Sequence, residues 1–153
     1  MIPLGIDPAV KKHALAYRTG KVWNYHYSDK DELEEDLMLA KTLSGVTDVF
    51  YEGPYLATFG IAKRPNPLTY RVLVELMTET RRVVESCGLI WHEVNPMTWK
   101  SACFTMGRYF PKTRDEQKKA SLLRASDIVK HEVEDDNLAD AICIAEWAER
   151  TQG

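Results

Sequence analysis

The first part of the chain carries short apolar runs separated by polar residues. Residues 2–7, 13–18 and 21–27 are rich in apolar and aromatic side chains and have the length of strands. Thr19 and Gly20 separate the second run from the third, and such a short glycine-containing connection favours a hairpin. The pattern therefore predicts three strands at the start of the chain, with the second and third antiparallel.

A helical period follows this hairpin. Apolar residues at helical spacing predict a helix that Ser28 or Asp29 caps and that ends just before Gly45. Residues 46–52 then form another apolar run, which indicates a fourth strand. The chain therefore returns from a helix to a strand, which is the beginning of a crossover connection.

The remaining residues predict one further strand and several helices. In order we expect a loop over 53–67, a helix over 68–87, a strand over 89–94, a turn or short helix up to 103, and helices over 113–130 and 136–150. Hairpin strands followed by strand–helix crossovers predict an α/β fold. Its mixed five-stranded sheet carries helices on both faces, in the element order of the ribonuclease H-like fold.

Composition is consistent with one domain over residues 1–153. The chain is 44% hydrophobic and 28% charged, and it contains no repeat, linker or low-complexity tract. No apolar stretch approaches the length of a membrane span, and the first residues lack the features of a signal peptide. Cys87, Cys103 and Cys143 are an odd number at scattered spacings, so we expect free thiols and a bacterial or phage-infected host cytoplasm.

Charge is distributed unevenly along the second half of the chain. Residues 99–130 contain eight lysines and arginines and three acids, whereas residues 131–150 contain seven acids and one arginine. The net charge of −3 therefore hides a basic segment that is followed directly by an acidic one. Such a distribution suits a protein that binds phosphates with one surface and metal ions with another, although an ordinary solvated surface explains it equally well.

Four acids come from three separate places in the sequence. Asp7 and Glu52 each end a predicted strand, and Asp136 and Asp140 lie at the start of the last helix, on one face because they are four residues apart. Each acid alone is explained by a turn or a helix cap. If the fold brings them together, they require a cation, and oxygen ligands select Mg²⁺ or Mn²⁺. Two such ions can promote phosphoryl displacement, so the four acids predict a nuclease.

Four segments, at 5–8, 51–54, 95–100 and 135–141, resemble in order the motifs of the RuvC-type Holliday-junction resolvases. This family belongs to the ribonuclease H-like superfamily, and the likeness is greatest to its phage and poxvirus branches. Two departures are Ala9, where the family often has glycine, and Asn137, where bacterial members have an acid or histidine. Asp135, Asp136 and Asn137 therefore remain alternative metal ligands, of which we favour Asp136.

The resemblance implies a function. It implies a homodimeric endonuclease that resolves four-way DNA junctions by paired symmetric nicks and leaves 5′-phosphate ends. Asp7, Glu52, Asp136 and Asp140 would hold two Mg²⁺ ions, with Mn²⁺ as a possible substitute. The helix over 68–87 is the candidate dimer interface.

Basic and aromatic residues complete the predicted site. Lys100 lies in one of the four motifs, where a lysine could contact the scissile phosphate or stabilise charge during cleavage. Tyr55 follows Glu52 by three residues, where the resemblance implies an aromatic wedge that stacks at an opened base step. The further candidate DNA contacts are Phe59, Lys63, Arg64, Lys112, Arg114, Lys118 and Lys119.

Two other functions remain open at this stage. One is a ribonuclease H-like nuclease that acts on RNA–DNA hybrids or branched replication intermediates, which needs no dimer. The other is a non-catalytic module that binds junctions, against which the full set of acids argues. The four histidines, His13, His26, His92 and His131, show no ligand spacing and are expected to be structural or solvated.

Overall fold

A computed structural model describes residues 1–54, 67–104 and 110–153 of the chain. These residues form five strands and five helices. The strands are β1 (Pro3–Asp7), β2 (Lys12–Thr19), β3 (Val22–Asp29), β4 (Asp48–Glu52) and β5 (Ile90–Val94). The helices are α1 (Leu33–Ser44), α2 (Pro67–Ser86), α3 (Pro96–Phe104), α4 (Arg114–Val129) and α5 (Asp136–Gln152).

The five strands form one mixed sheet in the order β3-β2-β1-β4-β5. The strands β1, β2 and β3 are antiparallel neighbours, whereas β4 is parallel to both β1 and β5. The strand β1 is therefore central, and its carboxyl end lies beside the carboxyl end of β4. This arrangement confirms the predicted mixed five-stranded sheet.

Each face of the sheet is covered by its own group of helices. On one face, residues of α3, α4 and α5 pack against Phe50 of β4 and the alanines of β2. On the other face, α1 and α2 pack against Ile6 of β1 and Tyr51 of β4. Neighbouring residues along β4 therefore enter different cores, as the alternation of side chains in a strand requires. Helices on both faces of the sheet confirm the prediction.

The helix α1 begins later than the sequence predicts. Ser28 and Asp29 do not cap it, because both continue β3 and pair with His13 and Lys12 of β2. The Asp29 carboxylate instead accepts hydrogen bonds from the backbone N–H groups of residues 31 and 32, which form the turn before the helix. The predicted cap was wrong because pairing with β2, which is not visible locally, extends the strand.

The cysteines agree with the expectation of free thiols. All three cysteines are free thiols, and Cys87 and Cys143 are buried. Burial raises the pKa of both thiols, which makes them poor nucleophiles. None of the described helices is both long enough and apolar enough to cross a membrane.

Gly5 in the middle of β1 allows α5 to approach the sheet closely. A Cβ atom at this position would lie 2.4 Å from the carbonyl oxygen of Ala141 and 2.9 Å from the backbone nitrogen of Ala145. Both neighbours are helix backbone, which cannot move aside as a flexible side chain can. The absence of a side chain at Gly5 therefore sets the distance between β1 and α5, the two elements that carry three of the four acids.

Replacing Gly5 with alanine is expected to destabilise the protein by about 1–3 kcal/mol or more, because α5 must shift outward to admit the methyl group. Gly53→Ala is the matched control, since its Cβ would meet the Glu93 side chain. Urea denaturation of both variants measures the difference. Equal free energies of unfolding for Gly5→Ala and the wild type would show that α5 does not depend on this contact.

Candidate active site

Asp7 and Glu52 end the two central parallel strands side by side. Ile6 of β1 pairs with Tyr51 of β4, so the next residue in each strand is one of the two acids. Both acids follow a residue of the α1/α2 core, and therefore both side chains face α5 and α3. The carboxyl ends of parallel strands are where α/β sheets place their ligand sites.

The start of α5 brings the other two acids to the same edge of the sheet. Asp135 is the N-cap residue, and its Oδ1 accepts hydrogen bonds from the backbone N–H groups of Asn137 and Leu138, each at 3.0 Å. The Tyr27 hydroxyl donates to the same oxygen at 2.6 Å. Asp135 therefore holds the helix end in place, and Asp136 is the adjacent acid that faces inward.

The four acids line one cavity of about 330 Å³. Its lining consists of Asp7, Glu52, Lys100, Arg114, Gln117, Lys118, Asp136, Asn137 and Asp140. Four carboxylates thus share one space with two lysines and an arginine. The predicted convergence of acids from β1, β4 and α5 is therefore present in the structure.

Burial raises the pKa values of three inner acids, Asp7, Glu52 and Asp140, and repulsion between carboxylates adds to the shifts of Asp7 and Asp140. Burial is the main cause for Asp7, whose pKa lies well above its usual value, and repulsion by Glu52 and Asp140 adds to it. The pKa of Asp140 is raised to about 7, again mainly by burial. Burial also raises the pKa of Glu52. The positive charge of Lys100 opposes all three shifts, so this lysine favours the ionised form of each of these three acids.

Three of the four acids contact donors from the neighbouring helices. The indole Nε1–H of Trp99 in α3 donates to Glu52 Oε2 at 2.6 Å. The Ser121 hydroxyl of α4 donates to Asp140 Oδ1. Lys118 Nζ, also from α4, lies 3.8 Å from Asp136 Oδ2. The helices α3 and α4 therefore hold the acids that β4 and α5 supply.

The chemistry of these residues fits a divalent cation. Among the described residues no group of three or more His, Cys, Asp or Glu side chains is already drawn together around an ion position. The four acids nevertheless offer oxygen ligands to the cavity, and burial with repulsion disfavours the ionisation of Asp7 and Asp140. A cation would remove both costs, and hard oxygen ligands select Mg²⁺ or Mn²⁺. Asp7, Glu52, Asp136 and Asp140 are the residues that would hold it.

Comparison with solved structures relates nearly the whole chain to a bacterial RuvC protein and to a viral resolvase. Thermus thermophilus RuvC matches with a TM-score of 0.67 at 17% identity, covering 99% of this chain and 97% of that one. The same protein in complex with a Holliday junction substrate matches with a TM-score of 0.67 at 15% identity, covering 98% and 95%. Fowlpox virus resolvase, in complex with Holliday junction DNA, matches with a TM-score of 0.50 at 14% identity, covering 99% of each chain.

The chain has the RuvC-type ribonuclease H-like fold. No protein-family model matches the sequence, and no curated protein sequence matches it either. The likeness therefore lies in the backbone.

The RuvC-type fold brings most of the predicted site residues together. Asp7, Glu52, Asp136, Asp140 and Lys100 line the cavity, as do Arg114 and Lys118 of the predicted DNA contacts. Lys112 and Lys119 are exposed and do not line it. Tyr55, Phe59, Lys63 and Arg64 lie outside the described residues, so their roles stay predictions.

Several residues of the site were not predicted from sequence. Gln117 lines the cavity beside Arg114. Asn137, which the sequence left as an alternative ligand to Asp136, also lines the cavity. Trp99 and Ser121 hydrogen-bond to the inner acids although both are completely buried. The position of Trp99 directly before Lys100 in a family-like motif was the available signal for that residue. Ser121 and Gln117 carry no local signal, because their roles depend on how α4 packs.

The four histidines lie away from the acid cavity in the described part of the chain. His92 pairs with Asp48 at 2.7 Å, and His26 lies 3.6 Å from Asp36. His131 shares a hydrogen bond with Tyr25 at 2.9 Å. These contacts agree with the expectation that the histidines are structural or solvated.

His13 is buried and is expected to reduce stability in acid. Burial lowers its pKa to about 4, and neutral His13 accepts from the Ala9 N–H at 3.4 Å through Nδ1. The Thr80 hydroxyl lies 3.2 Å from Nε2. Because the pKa is lower in the folded state than the unfolded value of about 6.5, the unfolded state binds more protons between pH 6.5 and 4. The His13 contribution, roughly 3 kcal/mol, is therefore present above pH 6.5 and lost as the pH falls towards 4.

NMR titration of the His13 ring checks this prediction. A transition near pH 4, far below those of exposed histidines, is the expected result. In His13→Leu, the free energy of unfolding should no longer contain the His13-dependent fall between pH 6.5 and pH 4. A His13 transition at the usual histidine pKa would contradict the account.

Proposed function

We propose that this protein is a metal-dependent, structure-selective DNA endonuclease that resolves four-way junctions by paired symmetric nicks. The observation that carries the proposal is the cavity in which Asp7, Glu52, Asp136 and Asp140 meet Lys100. The RuvC-type fold supports it, because two proteins of this fold have been captured with Holliday junction DNA. Acids alone would suit many metal enzymes, whereas acids in this fold favour a nuclease.

The chemistry follows from the charges around the cavity. When bound, two divalent ions would lower the pKa of the attacking water and stabilise the leaving 3′-oxygen, which yields 5′-phosphate ends. Asp7 and Asp140 are the most strongly perturbed acids, so their negative charges have the most to gain from a cation. Lys100 would stabilise negative charge that develops on the scissile phosphate.

The start of α4 supplies the groups that would bind the DNA backbone. Arg114 in the first turn and Gln117 and Lys118 in the next all line the cavity opposite the strand ends. An arginine binds two phosphate oxygens at once, and the start of a helix favours an anion. These residues would place the scissile phosphate over the acids.

A homodimer is part of the proposal because a two-fold protein can nick two symmetric strands of one junction. The helix α2 is the candidate interface. Leu68 and Val72 are exposed apolar residues four positions apart, and therefore lie on one face of α2. Sedimentation equilibrium at micromolar protein concentration measures the oligomeric state.

A supercoiled plasmid with an extruded cruciform tests the proposed function. A junction-resolving dimer makes two nicks in one encounter, so Mg²⁺ should convert the plasmid directly to linear DNA. Accumulation of nicked circles would indicate a nuclease that cuts one strand at a time. This is the result expected for a nuclease that acts on RNA–DNA hybrids or branched replication intermediates. Binding of the cruciform without any cleavage in Mg²⁺ or Mn²⁺ would support the non-catalytic junction-binding module.

A further inference from the structure

Two buried, uncharged donors touch the inner acids of the cavity. Trp99 of α3 donates its indole N–H to Glu52 Oε2 at 2.6 Å, and Ser121 of α4 donates its hydroxyl to Asp140 Oδ1. Both donor side chains are completely shielded from solvent. Each donor contacts one oxygen of a carboxylate, Oε2 of Glu52 and Oδ1 of Asp140, and both acids line the cavity.

The geometry of Trp99 leaves its donor little choice of direction. Its ring packs edge-on against Phe104, with centroids 5.4 Å apart and an interplanar angle of 77°. An indole has one N–H and no acceptor, and a buried donor without a partner costs about 1–3 kcal/mol. The orientation of Glu52 is therefore coupled to the packing of α3.

Neutral donors serve a metal-binding carboxylate better than charged ones. A lysine at the same place would cancel the charge that attracts a cation, whereas an indole or a hydroxyl fixes the oxygen and leaves the charge in place. Such outer partners commonly orient the carboxylates that ligate metals. The same logic applies to Ser121 and Asp140, at the other side of the cavity.

We infer that Trp99 and Ser121 are positioning residues for the metal site, each holding one oxygen of an acid so that the other faces the cation. This inference rests on the proposed metal-dependent function. It gives α3 and α4 a further role, because they set the direction of Glu52 and Asp140. Neither residue touches the cation or the DNA.

Calorimetric titration of Mg²⁺ or Mn²⁺ into the DNA-free protein tests the inference without relying on cleavage. Trp99→Phe keeps most of the ring volume but removes the donor, and Ser121→Ala removes the hydroxyl. Each is expected to weaken metal binding by about 10–100-fold. In cleavage assays the Mg²⁺ concentration for half-maximal rate should rise by a similar factor, and saturating Mg²⁺ should restore most of the rate.

Two matched controls separate positioning from stability. Trp147→Phe removes an indole from the same core, where Trp147 packs edge-on against Phe50. Ser126→Ala removes another α4 hydroxyl, one that accepts from the Val133 N–H. Both controls should lower the free energy of unfolding while the metal affinity stays at the wild-type value. The inference would be overturned if, across all four variants, metal affinity fell in proportion to the loss of unfolding free energy.

A measurement on the wild type covers the case in which a variant fails to fold. The indole N–H resonance of Trp99 should shift when Mg²⁺ is added, because a cation on Glu52 weakens the oxygen as an acceptor. The Trp147 resonance should stay in place. A Trp99 resonance that does not respond to bound metal would overturn the inference. A wild type that binds metal but never cleaves DNA would instead overturn the proposed function and leave the positioning role standing.

Discussion

Asp7→Asn is expected to lower junction cleavage by at least about a thousandfold, equivalent to about 4 kcal/mol of transition-state stabilisation. The substitution keeps the shape of the side chain but removes its charge from the centre of the acid group. Junction affinity should stay near the wild-type value, because the candidate phosphate-binding residues of α4 are untouched. Single-turnover cleavage of a labelled junction and a gel-shift titration measure the two quantities.

The stability of Asp7→Asn distinguishes loss of chemistry from loss of structure. Because burial and repulsion raise the folded-state pKa of Asp7, its ionisation costs stability as the pH rises through that value. At alkaline pH and without divalent ions, the variant should therefore be at least as stable as the wild type. Asp48→Asn is the control: this buried acid pairs with His92 at the opposite end of β4, so its loss should leave cleavage intact. Retained cleavage in Asp7→Asn would contradict the metal-site assignment.

Lys100→Ala should reduce junction cleavage by about 100–1,000-fold, the usual effect of removing one group that stabilises transition-state charge. Lys100 lines the cavity, and its positive charge acts on Asp7, Glu52 and Asp140 together. Junction affinity should change far less than the rate, since many phosphate contacts share in binding. The rate at saturating Mg²⁺ and the dissociation constant are the measurements.

Metal binding provides the second half of this test. Removing a positive charge beside the acids should strengthen, not weaken, the binding of Mg²⁺ to Lys100→Ala. If Lys100→Ala cleaves slowly but still binds Mg²⁺, its defect is the loss of the lysine charge and not the loss of the metal ion. Lys21→Ala removes an exposed lysine outside the cavity, at the β2–β3 connection, and should keep the wild-type rate. Normal cleavage by Lys100→Ala would remove the role proposed for this residue.

Much of the fold could be predicted because its signals are local. The strands β1 and β4 are short apolar runs that end at an acid, and the α1 C-cap Gly45 adopts the left-handed conformation that favours glycine. The meeting of Asp7 and Glu52 also follows from sequence, once β1 and β4 are taken as parallel neighbours. Prediction from sequence succeeds where one segment decides the outcome.

Prediction fails where distant segments decide. The start of α1 depends on the pairing of β3 with β2, which keeps Asp29 in the strand. The role of Gly5 depends on the approach of α5, which lies more than a hundred residues later. Trp99 and Ser121 look like core residues in sequence, and only the packing of α3 and α4 turns their donors towards the acids.

The measurement that tests the central claim most directly is cleavage of a labelled synthetic four-way junction, with and without Mg²⁺. A linear duplex and an RNA–DNA hybrid of the same sequence are assayed beside it. We expect paired symmetric nicks in the junction alone, only with Mg²⁺, and with 5′-phosphate ends. Cleavage of the hybrid in place of the junction would contradict the resolvase assignment, and cleavage that persists in EDTA would contradict the metal-dependent site formed by Asp7, Glu52, Asp136 and Asp140.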